Sequence, residues 1–588
     1  MFGKLLGNRR GAVGFIGALA IPVLLGVGGF VAEYGNALVV HTDNQRVADA
    51  AAFAGAIAYS NSTAATDDLK KTDATSAVNR VASFNGIATS AVTTTVVPSP
   101  TNDGNDAVRV NISTTVPLVF ARLINRSTSS QAVPVTAYAE LKADAQACIL
   151  ALSTAATYNV SLSGGTTISA TSCAVSSDYG VDVPCGTYIN SNAVAYNSPT
   201  APRQGCSGIS GRTVKKSTPD PLNPTGNAPA AAVASLITHA ATVASQAAPT
   251  VTGGGPIDFA YKQSSTIAQA AADGCVAAFA SQTWTVTCAG TNLKFGKITT
   301  GGGLSVNFNI NSSPSTIYQF SDDILDTSSG ITFGPGIYTI AGGISASADN
   351  ATTFGAGSFQ IGGLKDGSCS SAAICVGGGK RLVFGDTSSG VFQVSGPIIT
   401  SGGSCLMIGA ATDHDINSYI SASGAVVLGS GNWTVSKYAW FGAGGGGGTT
   451  SCPGLGGAYV GVSGTGVTVY VGGVGVPTSG GSCANNSFCV SAGYQQVTLT
   501  AGASKLVVVG ASSSTAGALF TQGASGVSLS GEFYFPNGPI SLSGGASVGN
   551  GANQCLTLIG KTVTLSGGTV VASTCITGAS TATASLVQ

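Results

Sequence analysis

The sequence predicts an N-terminal transmembrane helix with a small α+β domain, followed by a large all-β region built as a right-handed parallel β-helix with disulfides. Three observations carry this expectation. Residues 11–32 form an uncharged apolar run, with Lys4, Arg9 and Arg10 before it and Glu33 directly after. The chain holds 84 glycines and only 8% charged residues, yet 44% of it is hydrophobic. All 14 cysteines fall at or beyond residue 148.

A bilayer core about 30 Å thick takes about 20 apolar residues at 1.5 Å rise, so residues 11–32 suffice to span it. The basic residues before the run should stay cytoplasmic, which sends the remainder outward. Two other readings stay open. Ala18-Leu19-Ala20 has the small-residue form of a signal-peptide cleavage site, although the apolar run continues past it through Pro22, Leu24, Leu25, Val27, Phe30 and Val31. Residues 28–34 resemble the glycine, four residues, Glu-Tyr cleavage site of Flp-type pilins. In those pilins the apolar helix follows Glu-Tyr, whereas here it precedes Glu33-Tyr34.

Composition narrows the remaining classes. High hydrophobicity with little charge is not the signature of disorder. Collagen is excluded, because no Gly-X-Y period exists and proline numbers only 21. The 24 basic and 24 acidic residues leave no phosphate-binding footprint, so no nucleic-acid partner is expected. Residues 1–147 carry 21 of the 48 charges and no cysteine, which marks a boundary near 147. The expected domains are 1–35 (cytoplasmic basic stub and anchor), 36–147 (α+β) and 148–588 (Gly/Ser/Thr-rich solenoid with helical insertions around 228–283).

An even cysteine count beyond the span fits disulfides in an oxidising compartment. Zinc sites use tight Cys-x2-Cys pairs or nearby histidines, and the histidines here are scattered at 41, 239 and 414. Pairing of sequence neighbours would join Cys148–Cys173, Cys185–Cys206, Cys275–Cys288, Cys369–Cys375, Cys405–Cys452, Cys483–Cys489 and Cys555–Cys575. Sequence alone leaves the connectivity open.

After the span, residues 34–59 set Leu38, Val39, Val47, Ala51 and Ala54 against His41, Asp43, Gln45 and Asp49 at helical spacing. Residues 67–84 read as a second helix ended by Asn85-Gly86. Residues 91–97, 107–113 and 133–139 alternate as strands, completing a compact α+β unit.

These residues also carry a family likeness. Arg9-Arg10-Gly11 leads into an apolar stretch with Pro22. Glu33-Tyr34-Gly35 and Leu38 follow, then residues 45–56 with Ala48-Asp49-Ala50-Ala51-Ala52, and later Val135-Thr136-Ala137-Tyr138-Ala139. The pattern resembles the N-terminal domain of TadG-like Flp pilus-assembly proteins, from the type IVb (tight-adherence) system of bacteria. The resemblance implies an inner-membrane-anchored envelope protein, with a cytoplasmic N-terminus and a periplasmic or surface-exposed C-terminal region. It implies service in pilus assembly or surface attachment, with other pilus-assembly or envelope proteins as partners. Pilin-like members carry a Glu early in the apolar segment. Val13, Gly14 and Phe15 occupy that zone here, which argues against processing into a minor pilin.

Cys148-Ile149-Leu150-Ala151-Leu152 opens a second regime. Runs at 160–163, 467–471, 497–500, 506–509, 527–530 and 563–566 alternate with period two, so they are strands with one packed face. Many short strands with few charges are best buried by stacking coil on coil, about 15 coils at about 20–30 residues each. A β-sandwich array is the structural alternative. Asp220-Pro221-Leu222 begins a Pro-rich connection, and the Ala-rich stretches at 230–248 and 264–283 suggest helical insertions. Phe333-Gly334-Pro335-Gly336-Ile337-Tyr338 and Phe533-Tyr534-Phe535-Pro536-Asn537 are similar to segments in relatives of the same family.

Some β-helices degrade polysaccharide, and glycoside hydrolysis needs two placed carboxylates. Asp322, Asp323 and Asp326 form one acidic cluster, and Asp413-His414-Asp415 flanks a histidine with acids. Neither has the ligand density calcium needs. The glycines at 442–448 lack the Lys-Ser/Thr of a phosphate loop. Trp284, Trp433 and Trp440 could stack on sugars; core packing is the plainer reading. No catalytic, cofactor or metal site is therefore expected. The expected function is envelope-anchored pilus assembly or attachment, with polysaccharide or surface ligands as further partners. A membrane-tethered carbohydrate-active enzyme is the alternative.

Overall fold

The computed structural model describes residues 9–62, 67–101, 106–124, 127, 129–142, 146–223, 230–261, 263–348, 350–367, 369–387, 390–442, 452–453, 455, 460–491, 493–494, 496–521, 526–543, 555–575 and 583–587. The chain divides into a first unit, Met1–Asp144 with Ala579–Gln588, and a second, Ala145–Gly578.

In the first unit, the apolar run and the Ala-rich stretch after it are one helix, α1 (Arg9–Asn61), about 80 Å long at 1.5 Å per residue. A second helix, α2 (Asp67–Phe84), packs on it. The strands β1 (Val92–Pro98), β2 (Asp106–Pro117) and β3 (Ser130–Lys142) pair antiparallel in that order. A short helix, α3 (Ala121–Ile124), lies in the β2–β3 connection. Val47, Ala48, Ala51, Ala52 and Ala56 of α1 form the core with Val108, Val110, Ile112, Val135, Ala137 and Ala139 of the sheet and with Val78 and Ala82 of α2. Small side chains allow this close approach: a Cβ on Gly55 would meet Val78 Cγ2 at 2.7 Å. The strand Thr583–Val587 adds to β3, with Tyr138 opposite Val587. Composition alone assigns all of 148–588 to the β-rich region, and the structure moves this last strand to the first unit. A single short strand has no local signal for which sheet edge it will join.

Among its described residues the second unit is all-β apart from two helices, α4 (Ala231–Ala244) and α5 (Gln263–Ala272), and a 3-10 turn (Thr478–Cys483). Cys275–Ala280, within the stretch expected to be helical, is a strand paired antiparallel with Thr283–Cys288. From there to Gln496–Thr500 the pattern is parallel, each strand pairing with the third strand after it, and the later strands pair with the second after them. Ile317–Phe320, Ile324–Asp326 and Ile331–Phe333 thus pair with Gly336–Ile340, Ile344–Ala346 and Ala351–Phe354. Side chains alternate between inside and outside on each strand, as period two requires. One of the parallel sheets holds fifteen strands.

In-register pairing stacks like side chains at the strand spacing of about 4.8 Å. Tyr338 lies 4.6 Å from Tyr318 with rings 7° apart, and Phe354 lies 4.6 Å from Phe333 at 8°. Phe384 continues the column 5.1 Å from Phe354. Offset or parallel rings in such columns add to area burial. At one corner, glycines stack instead: a Cβ on Gly409 would sit 2.6 Å from Gly385 C, and one on Gly429 would sit 2.2 Å from Gly409 C. Backbones this close leave no room for a side chain, which accounts for part of the glycine content.

Stacking order departs from chain order. The strands between residues 147 and 215 lie beyond the last C-terminal strands, with Ile149 opposite Leu558 and Val160 opposite Val563. The chain then returns through α4 to Ile257–Phe259, whose partner is Ile298–Thr300. The returning segment packs on the outside of the strands. Leu222, Val233, Leu236 and Ala240 cover Tyr470, Leu506, Val509 and Tyr534.

The structure joins Cys148–Cys173, Cys185–Cys206, Cys275–Cys288, Cys369–Cys375, Cys405–Cys452, Cys483–Cys489 and Cys555–Cys575.

Candidate functional site

α1 is long and apolar enough to cross a membrane: within Ile16–Tyr59 an 18-residue stretch reaches a mean hydropathy of 1.9. Ile16, Leu24, Leu25, Phe30 and Val31 point away from any protein core. Beyond Val39 the same helix becomes the packing platform for the sheet. Asn44 Nδ2 donates to Thr114 Oγ1 at 2.7 Å and to Val133 O at 3.3 Å. Gln45 Nε2 donates to Asp49 Oδ1 at 2.8 Å and to Thr136 O at 3.2 Å. These contacts lay the β2–β3 hairpin along α1, so its tip reaches back toward the apolar half.

Glu33 meets that tip. Its Oε2 accepts the Ala121 N–H at 3.1 Å, and its Oε1 accepts the Phe120 N–H. The Phe120 ring lies against α1 at Gly29, where a Cβ would approach ring carbon Cγ to 2.5 Å. In sequence Glu33 reads as a charge at the end of the span and as part of the Glu33-Tyr34-Gly35 element. Its two backbone partners sit 87 and 88 residues away, and no local pattern announces a contact of that kind.

Two of the acidic candidates are taken up by donors within the fold. Asp323 is fully buried; its Oδ1 accepts from Gly343 N (3.0 Å), and its Oδ2 accepts from Lys365 N (3.0 Å) and Asp366 N (3.3 Å). Asp326 is likewise buried, accepting from Thr300 Oγ1 (2.8 Å), Thr352 Oγ1 (2.7 Å) and Ile331 N (2.8 Å). Asp322 faces Lys365 Nζ at 3.6 Å. A carboxylate saturated by amide and hydroxyl donors fixes a corner and offers no free oxygen to a substrate.

Strand alternation splits Asp413-His414-Asp415 between two faces. His414 points inward, stacked on Trp433 with centroids 3.9 Å apart and Nε2 2.9 Å from Gly409 O. Burial pushes its pKa down to about 4, so the ring is neutral. Asp415 points outward to the returning segment, where its Oδ1 lies 2.7 Å from His239 Nε2 and its Oδ2 accepts from Gln246 Nε2 at 3.0 Å. Asn417 Nδ2 donates to Gln246 O at 2.9 Å. Asp415 and Asn417 therefore fasten the end of α4 to the strands. Trp284 and Trp433 are fully enclosed, and Trp440 is partly covered by its neighbours. Sugar stacking on the first two is therefore ruled out by burial.

A small surface depression lined by Thr166, Leu542, Ser566, Gly568 and Val570 has no titratable side chain. Among the described residues, no group of three His, Cys, Asp or Glu side chains could hold a metal ion.

Residues 11–58 match the family model of putative Flp pilus-assembly TadE/G-like proteins. The match covers the exposed apolar half of α1 and the Ala-rich turns that carry the sheet. No curated protein and no solved structure matches the chain.

Proposed function

We propose that this chain is a membrane-anchored cell-envelope protein of the Flp, or tight-adherence, pilus system. In this reading its second unit is a right-handed parallel β-helix that serves as an exported interaction surface. The observation that carries the reading is the TadE/G-like match at residues 11–58, which lies on a helix apolar enough to be an anchor. The N-terminus is cytoplasmic, following Lys4, Arg9 and Arg10, and everything beyond α1's apolar half is periplasmic or surface-exposed. The seven disulfides are consistent with that oxidising side. Right-handedness rests on the rule that parallel crossovers within one sheet take that hand in about 98% of cases. The role is non-enzymatic: the carboxylates that might have cleaved glycosides are consumed by the fold. Partners are other pilus-assembly or envelope proteins, with polysaccharide or surface ligands on the neutral outer faces.

Deleting the gene and restoring it on a plasmid tests the reading. Loss of Flp piliation or attachment, regained on complementation, is the expected result. Unchanged piliation and attachment in the deletion strain would refute it. Alkaline phosphatase fused after residue 62 should be active if the topology is as stated.

A further inference from the structure

The geometry points to a second membrane contact: the tip of the β2–β3 hairpin, around Val119 and Phe120, inserts into the outer leaflet beside α1. This rests on the anchor reading of α1 and deepens it. Phe120 packs on α1 at Gly29, and Gly29 lies inside the apolar run of residues 11–32. A side chain lying at Gly29's level must share whatever medium surrounds that level. Gly29 is four residues short of Glu33, or about 6 Å deeper along the helix.

Three further features fit insertion. Val119 is 67% exposed and Phe120 42% exposed, and Phe30, the neighbour of Gly29 on α1, is 67% exposed, so loop and helix both present apolar side chains to the surroundings. In sequence the tip reads Leu118-Val119-Phe120-Ala121-Arg122-Leu123-Ile124; Arg122 is exposed on α3, and an arginine beside an apolar tip can keep its stem in the apolar zone while its head meets lipid phosphates. Finally, non-helical backbone enters a bilayer only when its polar groups are satisfied. Here the Phe120 and Ala121 N–H groups are taken by Glu33, and the Leu118 N–H donates to Ser129 O at 3.0 Å. Glu33 thereby acts as the clasp that lets the tip descend, and its own charge is met by two amide donors.

The occupant is a phospholipid leaflet rather than a protein groove, because the patch is continuous with the span itself. The test uses the full chain in phospholipid nanodiscs, carrying one photo-reactive benzoylphenylalanine at Val119, at Phe30 or at Phe84. Phe84 is 93% exposed at the end of α2 and serves as the control. After irradiation, mass spectrometry should find lipid adducts at 30 and 119 and none at 84. Adducts at 30 without any at 119, or a protein adduct at 119, would overturn the proposal and leave the anchor standing. No lipid adduct at 30 would overturn the anchor reading, and the proposal with it. Adding Glu33→Ala should lower the lipid adduct at 119 several-fold while leaving that at 30 unchanged. An unchanged yield at 119 would overturn the role given to Glu33.

Discussion

Glu532 should make the second unit lose stability as pH rises. The residue lies on the strand Gly526–Phe535, is fully buried, and neither carboxylate oxygen has a hydrogen-bond partner. It sits under the returning segment near Asp220, whose Oδ2 accepts the Tyr534 hydroxyl at 2.8 Å. Burial, and then the charge of Asp220, push the Glu532 pKa up to about 8 from the ordinary 4.5. Between those two values the folded chain holds a proton that the unfolded chain releases. Stability is therefore full below pH ~4.5, falls through the window up to pH ~8, and is flat above it. At 1.36 kcal/mol per unit the loss across the window is at most about 5 kcal/mol. Asp220 is raised as well, first by burial, and adds to the slope in the same direction. Urea unfolding of the full chain in detergent would measure this, followed by tryptophan fluorescence, since Trp284, Trp433 and Trp440 all belong to the second unit. Glu532→Gln keeps the shape and removes the ionisation. The wild type should weaken between pH ~5 and ~8, while the variant should show most of that slope abolished. Equal slopes in the two proteins would refute the argument that Glu532 is protonated in the fold.

Other consequences can be measured with the same signal. Phe354→Ala opens a gap between Phe333 at 4.6 Å and Phe384 at 5.1 Å, and should cost about 3–5 kcal/mol. Gly409→Ala drives a methyl to within 2.6 Å of the backbone at Gly385 and Asp386; the expected cost is about 1–3 kcal/mol, seen as a lower urea midpoint. The double change Cys405→Ser, Cys452→Ser opens a loop with a separation of 47 residues, and loop-closure entropy puts the loss near 4 kcal/mol. Peptide mapping of the unreduced wild type should recover Cys405 joined to Cys452; links between early and late cysteines would contradict the neighbour pairing. His239→Ala removes one of the two side chains holding Asp415. It should speed proteolysis between residues 216 and 256 while leaving the unfolding free energy of the strands within about 1 kcal/mol of the wild type.

Most local elements are legible in the covalent chain, although the Ala-rich stretch 264–283 conceals the strand Cys275–Ala280. An uncharged run of this length can only be helix in a membrane-like setting, and α2 is legible end to end because Asp67 to Phe84 carries its own spacing and its Asn-Gly stop. Period-two alternation announced strands such as Val467–Val471, since a pleated backbone sends every second side chain to the same face. Tertiary structure decided what those elements meet. Parallel ladders accept any strand of matching alternation, so nothing local says that Ile149 will lie opposite Leu558 or that Thr583–Val587 will join β3. The candidate sites failed for the same reason. Asp413, His414 and Asp415 are neighbours in sequence, but the pleat separates the histidine from both acids, one side entering the core and the other tying down α4. Glu33 and Glu532 gained their particular chemistry from groups 87 and more than 300 residues away, Phe120 and Asp220. Periodicity is a property of the covalent chain, whereas burial and partnership are properties of the packed coils, and charge takes its meaning from the latter.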